Sequence, residues 1–239
     1  MRSSMRRRGR IMQSNGIRVG IVACEILKRE IENLTKDDPD IVHREYLEFA
    51  LHVDSAELKV RVRERVSALK GKVDAVFLGY GVCQSLRGVT KELEVPTSML
   101  EADDCIAALL TPVEYEREKR KCTGTWFSSP GWAELGFKGA IKELHLDCMV
   151  DQGYDPMYFL KMLFTGYSRC LYISTNVEDE QGYVEKSKAF AELLSLRHEC
   201  RGCDMSVLEK ALMRAKELAY IERCSLGKCE QAVPEGCSR

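Results

Sequence analysis

The sequence predicts an α/β protein: a doubly wound, mostly parallel sheet with helices on both faces, whose second half repeats the plan of the first. Three observations predict it. Short apolar runs of strand length recur at 17–24 (IRVGIVAC), 75–79 (AVFLG), 97–100 (TSML) and 169–175 (RCLYIST). Segments with helical spacing of apolar residues separate them. The order β-α-β-α-β-β-α is the pattern of parallel strands joined by right-handed crossovers.

Each element has a local reason. The strand at 17–24 runs into a helix at 25–33. Residues 46–52 (YLEFALH) alternate like a second strand. Asp54 or Ser55 caps a helix running to about Leu69, with Leu58, Val62, Val66 and Leu69 on one face. After the strands at 75–79 and 97–100, residues 105–110 form a helical turn, and Pro112 opens a helix through the charged segment YEREKRK. Residues 124–132 (GTWFSSPGW) read as a strand running into a Pro130-Gly131 turn. Helices follow at 156–164, 183–198 and 206–221, with the strand 169–175 between the first two. The expected organisation is a basic, disordered tail over 1–16, an α/β domain over 17–200, and a cysteine-rich C-terminal helix and tail over 201–239.

Composition bounds the function. The chain has 239 residues, with 36 Lys and Arg against 37 Asp and Glu, so no basic excess argues for nucleic acid. No apolar run approaches the ~20 residues that span a membrane. The N-terminus, MRSSMRRRGR, lacks the apolar core of a secretory signal. It reads as a tail; the alternatives are a short nucleic-acid arm or an over-extended start with Met12 as the initiator. Eleven cysteines, an odd number without a signal peptide, point to the reducing cytoplasm. Each is then a buried apolar residue, a metal ligand or a reactive thiol. Cys148 and Cys170, in apolar surroundings, are expected in the core.

Four constellations can carry chemistry. Cys24, Cys83 and Cys105 each follow a strand-like run, where the carboxyl ends of parallel strands converge. With His52 they make a set of three thiolates and one imidazole, suited to zinc, and Asp104 beside them is the candidate catalytic, proton-handling group. The competing reading is tight packing of small residues. The loop Gly79-Tyr80-Gly81 is a candidate cofactor-binding turn, although the third glycine of a dinucleotide fingerprint and the lysine of a phosphate loop are both missing. Trp126, Ser128 and Ser129 form a candidate wall for a planar ligand such as a corrin or pterin, or else a core anchor and a turn. Cys200 and Cys203, with Cys224 and Cys229, make a second, weaker metal set with zinc or iron–sulfur character; a redox dithiol or unligated thiols are the alternatives.

The motifs VACEILKRE (22–30), Leu51-His52, GYGVC (79–83), DDCIAALL (103–110), GTWFSSPGW (124–132) and GYSRCLYIST (166–175) together resemble the DUF1638 family, found mainly in methanogenic archaea and anaerobic bacteria. The resemblance spans about 17–200 and rests on the order and spacing of the motifs. Where the family pattern has Arg-x-His-Asp-Cys, this chain has Glu101-Ala102-Asp103-Asp104-Cys105, so a role for that arginine or histidine does not carry over. The glycines that follow the family's GYGxC are here Gln84-Ser85-Leu86-Arg87. The resemblance carries no established activity, but its members resemble proteins encoded near corrinoid-dependent methyltransferases. It implies one-carbon metabolism, with a corrinoid or a methyltransferase protein as partner.

Three functional readings follow: a cytoplasmic metal-dependent enzyme or metal-binding protein with zinc at the strand ends, a module that binds a small-molecule ligand without catalysis, and a thiol enzyme using Cys83 or Cys105. No nucleic-acid or membrane partner is expected.

Overall fold

The structure is a computed structural model that describes residues 16–52, 54–82 and 86–227. It is an α/β fold in which every strand pairing is parallel, but the strands are divided between two sheets rather than joined in one. The first sheet has the order β2-β1-β3-β4, with β1 at Val19–Cys24, β2 at Ile41–Leu47, β3 at Ala75–Gly79 and β4 at Thr97–Met99. The second has the order β5-β6-β7, with β5 at Thr125–Ser128, β6 at Arg169–Ser174 and β7 at Arg197–Gly202.

The period of two along the central strands divides the core of the first sheet. Val19, Ile21, Ala23, Ala75 and Phe77 face one layer, while Val22, Cys24, Val76 and Leu78 face the other. Helix α2 (Ser55–Ser67) covers the second face through Leu58, Val62 and Val66. Asp54 caps it, accepting from the N–H groups of Ala56 and Glu57 at 3.0 Å. The other face is covered by α1 (Lys28–Thr35), α3 (Cys105–Leu110) and α8 (Ser206–Ser225). Leu171 and Ile173 of β6 enter that same core cluster, so the two sheets share one apolar interior.

The C-terminal helix is therefore no appendage. Ala211, Ala215 and Ala219 let α8 lie close against the first sheet, and Lys216 pairs with Asp38 at 2.6 Å and Asp40 at 3.3 Å. The domain boundary expected at residue 200 falls inside β7.

Four sequence expectations differ from the structure. The strand expected at 46–52 lies earlier, at Ile41–Leu47, and residues Phe49–His52 form a 3-10 turn. The Pro130-Gly131 turn is the first turn of α5 (Pro130–Glu143); proline at the first helical position suits its fixed φ as well as a turn would. The long helix expected at 183–198 is α7 (Glu180–Leu193), which stops before Ser195, where φ is +57°, and the chain then enters β7. Cys148 is exposed, its sulfur bonding the His145 carbonyl at 2.9 Å, whereas Cys170 is buried as expected. The second half is completed by α4 (Pro112–Lys121) and α6 (Pro156–Leu163). Among the described residues no helix is long and apolar enough to cross a membrane.

Candidate functional site

A cleft of about 220 Å³ opens where the two halves meet. From the first half it is lined by Cys24, Ile26, Phe49, Asp104, Cys105 and Ile106; the second half supplies Thr125, Trp126, Phe127, Trp132, Glu143 and Tyr167. Cys24 ends β1, and Cys105 opens α3 after β4, so both arrive from carboxyl ends of parallel strands. The structure thus brings together Cys24, Asp104, Cys105 and Trp126, residues distant in the chain.

Local chemistry fixes each wall. The Asp104 carboxylate caps α3 by accepting the Ala107 N–H at 2.7 Å. Trp132 and Cys105 both line the cleft. The Glu25 carboxylate accepts the Phe49 N–H at 2.8 Å, holding the 3-10 turn that ends at His52 beside the cleft. Gly131 lies so close to the Ile26 backbone that a side chain at this position would overlap it, which lets α5 bring Trp132 against the first sheet.

Burial dominates the thiols. It pushes Cys24 up to about 12, against the weaker downward pull of the Ile26 N–H. It raises Cys105 well above the ordinary thiol range, with the charges of Asp104 and of Cys24 adding to the effect. Without a cation in the cleft both are neutral thiols near pH 7, poor nucleophiles. By contrast, the Ser168 hydroxyl at 3.2 Å helps to lower Cys122. At pH 7.5, iodoacetamide is therefore expected to modify Cys122 ahead of Cys24 and Cys105, as mapped by peptide mass spectrometry. Faster labelling of Cys105 would support the thiol-enzyme reading.

The other candidate positions are placed differently. Cys83 lies outside the described residues, as does the side chain of His52. Val82, the last described residue before Cys83, donates its N–H to the Ala102 carbonyl at 2.7 Å, two residues from Asp104. Gly79 and Gly81 line no part of the cleft. A side-chain carbon at Gly79 would sit 2.5 Å from Ala23 Cβ, and one at Gly81 would sit 2.7 Å from the Ala102 carbonyl oxygen. Their smallness serves packing, and Tyr80 is buried beside them. Ser128 and Ser129 are buried behind the cleft wall, and Ser129 Oγ has no hydrogen-bond partner among the described residues. Trp126 does line the cleft, but Phe190 stacks on it at 5.6 Å, which leaves no open aromatic slot for a corrin or pterin.

The tail set does not assemble as expected. Cys200 is within β7, and extended backbone sends positions three apart to opposite faces. Cys200 Sγ is 4.0 Å from His198 Nδ1, whereas Cys203 packs against the central core. Cys224 is disulfide-bonded rather than a free thiol, and it lies near the far end of the 20-residue α8, roughly 30 Å long at 1.5 Å per residue. Cys229 lies outside the described residues. Among the described residues no group of three or more His, Cys, Asp or Glu is placed to hold a metal ion.

Sequence reasoning missed Glu143 and Phe49. Glu143 comes from the end of α5, of which the sequence signals only a turn at Pro130-Gly131, and Phe49 from the 3-10 turn within 46–52, where the sequence predicts a strand.

No curated protein and no solved structure matches the chain. A family model described as "Protein of unknown function (DUF1638)" matches residues 46–212, a span that takes in β3 to β7 and all of the cleft except the contributions of Cys24 and Ile26. With more than half its length matched, the chain belongs to the DUF1638 family.

Proposed function

We propose that the chain acts as a binding protein through the cleft between its two halves, and that the occupant is a small cation. One observation carries this reading. Among the described residues, the cleft is lined by two carboxylates and two thiols and by no lysine, arginine or histidine. A mostly apolar cleft whose described lining has acidic groups and no basic side chain favours positive charge. The cleft is below the roughly 300–1,000 Å³ typical of drug-sized ligands. It suits a small compound, as one-carbon metabolism would supply, and not a corrin; a corrinoid enters this reading only on a methyltransferase partner.

A second reading is favoured by the presence of two thiols, Cys24 and Cys105, in the lining of one cleft. A thiophilic ion such as zinc would displace both thiol protons and bind the thiolates, with His52 and Cys83 as further ligands. Asp104 would then hold a proton beside it. This requires Cys24 and Cys105 to be reduced thiols, as both are in the structure.

Elemental analysis of anoxically purified protein, repeated on Cys24→Ser and Cys203→Ser, separates the readings. Near-stoichiometric zinc that falls only in Cys24→Ser supports the ion at the cleft. Zinc that falls only in Cys203→Ser moves the metal to the tail. Folded, metal-free protein leaves the organic cation.

A further inference from the structure

We infer that the cleft recognises an alkylated ammonium group, such as a quaternary or tertiary methylammonium. This rests on the reading of the cleft as a cation site and names the class of cation.

The walls carry the inference. Trp132 stands at 77° to Trp126, with ring centroids 5.6 Å apart, and at 66° to Phe49, with centroids 5.4 Å apart. Rings at steep mutual angles form the corner of a box. A flat ligand needs a slot; a globular cation needs a box, because it can meet several aromatic walls at once. Hard metal ions and ammonium itself are strongly hydrated and would need several oxygen donors to replace their water. An alkylated ammonium spreads its charge over methyl groups, and aromatic and thiol walls suit that surface.

Charge and size agree. Asp104 and Glu143 supply the negative field from opposite halves of the molecule. Asp104 is already committed to the Ala107 N–H as the cap of α3, so it acts as a fixed charge rather than a ligand in direct contact. Glu143 is exposed and shows no ion pair with any described residue. At about 30 Å³ per water-sized group, 220 Å³ holds about seven such groups. Tetramethylammonium and choline fall within that limit, and a lysine or arginine side chain on a partner protein would have to thread a whole stem into it.

The chain has two tryptophans, Trp126 and Trp132, and both line the cleft, so intrinsic fluorescence reports on it directly. The test is a fluorescence titration of the full chain with choline and with its neutral isostere 3,3-dimethylbutan-1-ol. Choline is expected to bind at least about tenfold more tightly, since cation–π attraction and the two carboxylates act only on the charged compound. Glu143→Gln, an exposed position that leaves the fold intact, is expected to weaken choline severalfold and leave the alcohol unchanged. Equal binding of the two compounds would overturn the ammonium class while leaving a ligand cleft. If choline, the alcohol and zinc all leave the fluorescence unchanged, the cation-site reading falls as well.

Discussion

Arg169→Ala is expected to destabilise the protein by about 3 kcal/mol or more, the range for breaking a buried ion pair from one side. Arg169 is 4% exposed, and its guanidinium serves four acceptors. These are Glu118 Oε2 at 2.9 Å, the Glu118 carbonyl at 3.0 Å, Thr125 Oγ1 at 3.0 Å and Glu199 Oε2 at 3.2 Å. Burial by itself would raise the Glu118 carboxyl, but Lys121, Arg169 and Arg201 outweigh it and hold the group at about 2. Removing the arginine takes one partner from the Glu118 carbonyl, which keeps the Cys122 N–H, and one from the Thr125 hydroxyl, which still donates to the Cys122 carbonyl, and it weakens what holds the carboxylate. The ordinary value is 4.5, so the contribution of Glu118 is present in full above about pH 4.5 and is lost as pH falls toward 2. The variant should therefore show a shallower acid transition than the wild type. Urea unfolding at pH 7 and pH 3.5 checks both parts. A cost below about 1 kcal/mol at pH 7 would mean that Arg201 and Lys121 suffice alone. A double variant, Arg169→Met with Glu118→Leu, is expected to recover much of the loss, because it removes both charges from the interior. The network matters to the cleft because it anchors α4 to β6, and Cys170 of β6 pairs with Trp126 of β5.

The parts of the fold legible in the sequence are those where burial and period agree. AVFLG is buried at every position and coincides with β3, and IVAC reads equally well because the centre of a parallel sheet needs unbroken apolar runs. The sequence RHECRG of β7 was not legible. An edge strand with exposed and half-buried residues shows no apolar alternation, and its charges serve the Arg169 network and solvent. The helix α5 was hidden by Ser-Pro-Gly, which suits a turn and a helix start equally, and by Gly136, whose φ of +53° breaks its regularity. For the site, the convergence of Cys24, Asp104 and Cys105 followed from the rule for strand ends. The acidic and aromatic character of the opposite wall did not, because Glu143, Trp132 and Tyr167 reach it through the packing of the second sheet against the first, which no local spacing encodes.

Glu30→Gln is expected to flatten the pH dependence of stability between pH 5 and pH 8. Glu30 lies on α1 and is 1% exposed; Oε1 accepts the Thr175 hydroxyl at 3.0 Å, while Oε2 has no hydrogen-bond partner among the described residues. Burial is the main influence and raises the carboxyl to about 7, with Glu180 adding to it, against weaker pulls from the local backbone, Thr175 and Arg29. The folded chain therefore keeps a proton there that the unfolded chain releases near 4.5. Its stabilising effect is present in full below about pH 4.5 and is lost as pH rises through 7. A shift of this size corresponds to about 3 kcal/mol between the two limits. Urea midpoints of both proteins at pH 5, 6, 7 and 8 measure it: the wild type should lose ground steadily against Glu30→Gln, and parallel curves would refute the assignment. The position gives the effect its consequence. Glu30 meets Thr175, which follows β6, and its neighbour Arg29 pairs with Glu134 of α5 and Tyr183 of α7. Ionising Glu30 places a charge, only weakly offset by Thr175 and Arg29, in the joint between α1 and the end of β6, beside the two sheets that wall the cleft. Choline affinity in the wild type should then weaken from pH 6 to pH 8, and in Glu30→Gln it should hold constant over that range.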